Sequence, residues 1–168
     1  MGERFCFTCE NCHHKYSADI GRGFGYGNVY RARIAAIEAG DYGLAWQEAF
    51  RNTPGAVIDA DYVVYICYAC KAWEVGTDLS LYAPNRSEDM SSKLDGKKTL
   101  GEAGAVQLVQ YIKENKSFLG NHHLVKRYYH LCSKCGKRMH KASRNEIIEL
   151  SCPKCGRKNQ TDEVWMWD

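Results

Sequence analysis

The chain reads as an α+β protein: two small β-rich modules, each held by four cysteines, the first carrying an inserted helical pair. Three observations lead there. Eight of the nine cysteines fall in four C-x-x-C pairs, with Cys6 left over. Apolar residues recur at helical spacing over about residues 28–52, whereas the stretches entering the later cysteine pairs are rich in β-branched and aromatic residues. A polar, aperiodic stretch over residues 85–98 then separates the halves. The expected organisation is a module over residues 1–84, a linker over 85–98, and a helix with a second module over 99–168.

The elements follow in order. Phe5 to Thr8 leads into the first cysteine pair. The glycine-rich run from Gly21 to Gly27 lacks the third glycine of a dinucleotide loop, and no Lys-Ser/Thr follows it for a phosphate loop, so it serves as a lead-in to a helix. Asn28 can cap that helix over 28–39, with Tyr30, Ile34 and Ile37 on one face and Gly40 ending it. Asp41 can cap a second, in which Tyr42, Trp46 and Phe50 form a core stripe until Thr53-Pro54-Gly55 breaks it. Residues 56–66 and 72–76 read as the two arms of a hairpin. Asp59 and Asp61 fall on one face of such a strand, which is a solvated face. Beyond the linker, Thr99-Leu100-Gly101-Glu102 fits a capping box for a helix with Val106, Val109 and Ile112 on one side. Residues 124–131 alternate as a strand, and Val164–Trp167 reads as the last strand of the C-terminal module.

The pairs are Cys9/Cys12, Cys67/Cys70, Cys132/Cys135 and Cys152/Cys155, although Cys6/Cys9 has the same spacing and could replace the first. Cys135 and Cys155 are each followed by glycine, which suits the tight turn that aims two sulfurs at one ion. Sixteen residues separate Cys135 from Cys152, within the range of a C-x2-C…C-x2-C metal site. Cys132, Cys135, Cys152 and Cys155 are therefore expected to share one ion. By elimination Cys9, Cys12, Cys67 and Cys70 share the other, across a 54-residue insertion. His13 and Lys71 stand where the C-terminal knuckles have glycine, so those turns should be less regular. His13 or His14 could replace a cysteine ligand.

At these residues the chain resembles the zinc-ribbon superfamily, in which two knuckles on β-hairpins clamp one Zn2+, and its layout is similar to bacterial zinc-ribbon proteins of unassigned activity. The resemblance implies two structural Zn2+ ions, one in each of the two quartets named above. Iron in a four-thiolate site is the second choice, because Cys152-Pro153-Lys154-Cys155-Gly156 also reads as a rubredoxin knuckle. A dithiol redox pair would need only one C-x-x-C. Ribbons are scaffolds used for many purposes, so the resemblance does not select a function.

Composition excludes several classes. At 168 residues, 45% apolar and 26% charged, the chain suits one ordinary domain or two small ones. No run approaches ~18 apolar residues, so no membrane span or membrane partner is expected. The stretch Met1 to Cys6 lacks the apolar core of a signal peptide. A cytoplasmic location follows, where cysteines stay reduced or bind metal. No paired-carboxylate, triad or metalloprotease pattern is present, and His122-His123 has no nucleophile at a diagnostic spacing, so an enzyme is not expected.

Charge carries the one hint of a ligand. Residues 1–84 hold seven Lys/Arg against ten Asp/Glu, and residues 85–168 hold sixteen against ten. Within 124–144 there are seven basic residues and no acidic one. Lys126, Arg127, Lys137, Arg138 and Lys141, interleaved with Tyr128 and Tyr129, could contact phosphates and stack on bases. Cations beside thiolate sites also balance the −2 charge of each. A protein partner is therefore the first expectation, and nucleic acid on this basic face the alternative.

Overall fold

The computed structural model describes residues 2–23, 25–85 and 121–167. In chain order the elements are β1 (Gly2–Thr8), β2 (Lys15–Gly21), α1 (Tyr26–Ala39), α2 (Leu44–Arg51), β3 (Val57–Ile58), β4 (Tyr62–Ile66), β5 (Trp73–Thr77), β6 (Leu81–Pro84), β7 (His122–Lys126), β8 (His140–Lys141), α3 (Arg144–Ile147) and β9 (Glu163–Trp167). They form antiparallel sheets with a few helices and divide into two compact units. The first unit takes the described residues of Met1–Gly25, Asp61–Asp78 and Tyr129–Asp168; the second takes those of Tyr26–Ala60 and Leu79–Tyr128. These units do not follow the expected division into residues 1–84 and 99–168, because each draws on both halves. Residues 86–98 of the linker, and the helix expected from Thr99 with Val106, Val109 and Ile112, lie outside the described residues.

The first unit is built on one antiparallel sheet in the order β5-β4-β2-β1-β9, with β8 paired to the far end of β4. Alternation explains its two faces. Phe5 and Phe7 of β1 point into a core with Ala18, Val64, Ile147 and Leu150, while Arg4 and Cys6 point the other way. Two chain-order expectations change here. Val164 does not close a C-terminal hairpin: β9 lies along β1, with Phe5 opposite Val164 and Arg4 opposite Trp165. The segment after Cys135 likewise returns to β4, with Ile66 opposite His140 and Tyr65 opposite Lys141.

The second unit packs α1 and α2 with the small sheet β3-β6-β7. Tyr26, Tyr30, Ile34 and Ile37 form the buried stripe of α1, joined by Trp46, Val57, Ile58, Leu79 and Leu81. The helix starts two residues before Asn28. The cap expected at Asp41 is not used either: Gly43, at φ 89°, is the residue before α2 and gives no side-chain cap. Residues 56–66 are not one strand. Ala60, at φ 54°, breaks the run, so that β3 belongs to the second unit and β4 to the first. The strand expected over 124–131 is β7, ending at Lys126.

Helix α3 has a signature that the sequence holds in full. Ser143 accepts from the Glu146 N–H, and the Glu146 carboxylate accepts from the Ser143 N–H at 2.8 Å, a complete capping box. It delivers Ile147 and Leu150 to the core immediately before Cys152. The Ser143 N–H, then His140 and the Ser143 hydroxyl, hold the Glu146 carboxyl down at about 2. Its folded-state pKa lies below the ordinary carboxylate value. Its contribution is therefore complete above about pH 4.5 and disappears as pH falls toward about 2. NMR titration of the Glu146 side chain should show this depressed midpoint. Ser143→Ala should move that midpoint up and lower unfolding free energy by about 1 kcal/mol in denaturant titration.

Candidate metal centre

Four turns of one design carry the eight cysteines. In each, the N–H of the first cysteine donates to the carbonyl five residues on, and the N–H four residues on donates back to that cysteine's carbonyl. The bonds are Cys9 N to His14 O (2.9 Å) and His13 N to Cys9 O (2.7 Å), with the same pair at Cys67, Cys132 and Cys152. The fifth residue takes positive φ every time: His13 54°, Lys71 58°, Gly136 68° and Gly156 76°. The turns at His13 and Lys71 are thus as regular as the glycine ones, contrary to expectation. Two of the turns close the long hairpins β1–β2 and β4–β5. The other two are flanked only by single bridges, Leu131 with Arg138 and Ser151 with Lys158.

The turns assemble in a different combination from the one their spacing suggests. One quartet is Cys9, Cys12, Cys152 and Cys155; the other is Cys67, Cys70, Cys132 and Cys135. In each, all four sulfurs lie within 4.8 Å of one another. Cys9 Sγ is 3.5 Å from Cys155 Sγ and Cys12 Sγ 3.6 Å from Cys152 Sγ. Cys67 and Cys70 stand 3.5 Å from Cys135 and Cys132, respectively. The pairing of Cys132/Cys135 with Cys152/Cys155, and of Cys9/Cys12 with Cys67/Cys70, is therefore corrected. The physical reason is the sheet: β9 on β1 carries the Cys152 turn to the Cys9 turn, and β8 on β4 carries the Cys132 turn to the Cys67 turn. Loop length could not forbid it. Closing a separation of 140 in place of 17 residues costs only about 2 kcal/mol more.

The donor set fits a metal ion. Sulfurs about 2.3 Å from a tetrahedral centre stand about 3.8 Å apart, and a disulfide needs about 2.05 Å. The observed spacings match the first, and all nine cysteines are free thiols. The acidities point the same way. Burial opposes a Cys9 thiolate, but the Cys12 and Asn11 N–H groups and the Cys155 side chain outweigh it and bring Cys9 to about 6. The Cys70 N–H leads in drawing Cys67 down to about 6. Cys12 and Cys135 go the other way, to about 12: the His14 and Lys137 N–H groups favour their thiolates, but burial and the neighbouring sulfurs outweigh them. Four negative sulfurs do not coexist so closely without a cation, and a divalent ion supplies one.

Polar side chains outside the C-x-x-C pairs fix the turns to the sheet. Asn159 is buried, accepts from the Glu10 N–H at 3.3 Å and donates to Tyr16 Oη at 3.1 Å. Trp73 Nε1 donates to the Ser151 carbonyl at 2.7 Å. At the other quartet Glu74 accepts from the Ser133 N–H and hydroxyl, each at 2.8 Å, and meets His130 Nε2 at 3.0 Å. Spacing rules are blind to these residues, because nothing in the sequence links Glu74 to Ser133.

The remaining expected site residues disperse. Cys6 stands outside both quartets, in a cleft of about 460 Å3 with Arg4, Thr8, Lys15 and Ser17. His13 and His14 are in neither quartet. The basic face is split between units: Lys126, Arg127 and Tyr128 belong to the second, and Tyr129, Lys137, Arg138 and Lys141 to the first. Several are committed elsewhere. Lys126 donates to the Ala45 carbonyl at 2.6 Å and sits over Trp46. Tyr128 packs edge-on against Trp46 and Tyr42. Lys141 pairs with the fully buried Asp78.

Compared with protein-family models, with curated proteins and with solved structures, the chain finds no match. What stands is two groups of four cysteines able to bind metal, as zinc-ribbon sites do.

The quartets can be checked by alkylation. Cys67→Ser should lower the metal content by one ion and expose Cys132 and Cys135, while Cys152 and Cys155 stay protected. Labelling of Cys9 and Cys12 in that variant would contradict the crossed pairing. Lys71→Gly removes a side chain from left-handed backbone and should raise unfolding free energy by up to about 1 kcal/mol, measured in denaturant with metal bound.

Proposed function

We propose that each quartet holds one structural Zn2+ and that the protein is a zinc-ribbon-like binding module without catalytic activity, working in the cytoplasm on a protein partner. The observation that carries this reading is closure. Each site gathers four sulfurs, with no histidine or carboxylate among the grouped residues. A catalytic zinc keeps a position open for water, usually beside three protein ligands. Four thiolates fill the tetrahedron and leave the ion a folding role, which in small zinc modules supplies ~10–16 kcal/mol of apparent binding free energy. A net formal charge of +3 becomes about −1 once eight thiolates and two Zn2+ are counted.

A protein partner is favoured by β9, which lies at the sheet edge and exposes Val164, Trp165 at 60% and Met166 at 70%. Edges of this kind are normally blunted by charge or proline, and aromatic residues and methionine are enriched at interfaces. Among the described residues no helix is long and apolar enough to cross a membrane.

Metal analysis tests the reading. The protein as purified should carry two zinc ions per chain and be colourless. Stoichiometric iron with a coloured product, or fewer than about 1.5 ions in a fully loaded sample, would overturn it. Chelation should abolish the cooperative unfolding of the first unit, because the ions bind its folded state.

A further inference from the structure

The surface around the Cys67/Cys70/Cys132/Cys135 quartet differs from the basic face drawn along residues 124–144. Tyr68 lies between two ligands, Cys67 and Cys70, and is 66% exposed. One side of its ring stacks on His140, with centroids 4.0 Å apart and planes 10° apart, so the ring is held while most of its surface faces solvent. Lys71 Nζ stands 5.9 Å from the same ring. The opposing turn brings a second aromatic–cation pair, Arg138 4.4 Å over Tyr129, which is 49% exposed. Lys134 and Lys137, both exposed, flank Cys135. Because the sulfurs of the two turns stand 3.5 Å apart, these side chains gather at one end of the sheet.

The acids on the neighbouring elements are already engaged. Glu74 binds Ser133 and His130, Asp78 binds Lys141, and Glu146 binds His140 and Ser143. Cations around two pre-positioned rings are thus left in excess over the −2 charge of a zinc-loaded quartet. Rings held flat against a neighbour lose little freedom when a base stacks on them. Lysines and an arginine at the rim suit a phosphate backbone. A duplex hides its base faces and offers only phosphates, whereas a single strand offers both.

We infer that this end of the first unit binds single-stranded nucleic acid, with Tyr68 and Tyr129 stacking on bases and Lys71, Lys134, Lys137 and Arg138 contacting phosphates. The inference goes beyond the protein-partner reading and rests on the metal-stapled reading, since the ion holds the two turns together. The test is a titration of labelled single-stranded DNA, single-stranded RNA and duplex DNA with the metal-loaded full chain, its metal content measured in every sample. A preserved metal count with no binding would sink the inference and spare the structural site; loss of metal would count against the site itself.

Single strands should bind more tightly than duplex. Three or four phosphate contacts should weaken that binding about 20- to 50-fold between roughly 50 and 200 mM salt. Tyr68→Ala and Tyr129→Ala should each weaken it by at least about fivefold, with the salt slope unchanged. Lys134→Gln with Lys137→Gln should instead flatten the slope by one to two units, again at two metals per chain. The DNA and RNA arms show which backbone is preferred, and either preference supports the inference. Absence of single-strand binding at ~50 mM salt with about 10 μM protein would overturn it. So would equal affinity for duplex, or tyrosine variants that bind as the parent does, and the surface would then pass to a protein partner.

Discussion

The first unit depends on gathering cysteine sulfurs from distant parts of the chain. Each quartet joins a turn from the N-terminal half to one from the C-terminal half, at separations of 62 and 68 residues in one and 140 and 146 in the other. An apolar core alone would not do this, because four ionised thiols within 4.8 Å repel one another. A bound cation would turn that repulsion into attraction, and the strand pairings β9 on β1 and β8 on β4 would then lie on the same two cross-links. Metal binding at either quartet would reinforce sheet completion, since a quartet is complete only when both of its turns are in place.

Much of the local structure was legible in the sequence, and the assembly was not. The cysteine turns are specified by a few adjacent residues, so C-x-x-C marks all eight cysteines of the two quartets. Their partnership is decided by strand pairing, which sequence spacing hardly constrains: loop-closure entropy rises by only about 0.6 kcal/mol per doubling. The stripe Tyr30, Ile34 and Ile37 was readable because a helix repeats every 3.6 residues. The break between β3 and β4 at Ala60 was not, because alanine carries no turn signal and its positive φ is imposed by the surroundings. Helix α3 leaves no periodic trace, because four residues are too few for a repeat to show, although Ser143 and Glu146 spell its cap.

Counting charges along the chain had a similar limit. The charges within residues 124–144 are all basic, yet Lys126 caps a carbonyl, Lys141 neutralises a buried carboxylate, and Tyr128 packs against a core. Composition records the sign of a charge and not whether another group already holds it. Conversely, Lys71 and Tyr68 lie in a stretch with little basic character, and they acquire neighbours of like kind only when the Cys132 turn folds against them. A surface made from two distant segments is invisible to a window that slides along one.

The four turns also divide the work of stability unequally. Each quartet contains one turn with glycine at its left-handed residue, Gly156 or Gly136, and one without, His13 or Lys71. The non-glycine turns are those that close long hairpins, with seven paired positions in β1–β2 and five in β4–β5. A left-handed conformation costs a side-chain-bearing residue about 1–2 kcal/mol, which a ladder of that length can offset. The turns at Cys132 and Cys152 have one bridge each and little to offset strain; glycine there removes the strain instead. The hairpins can therefore hold half of each quartet in place by themselves, whereas the C-terminal turns rely on Glu74 and Asn159 and would gain most from a bound ion. A metal ion held by either quartet would accordingly join one weakly supported turn to one well-supported turn.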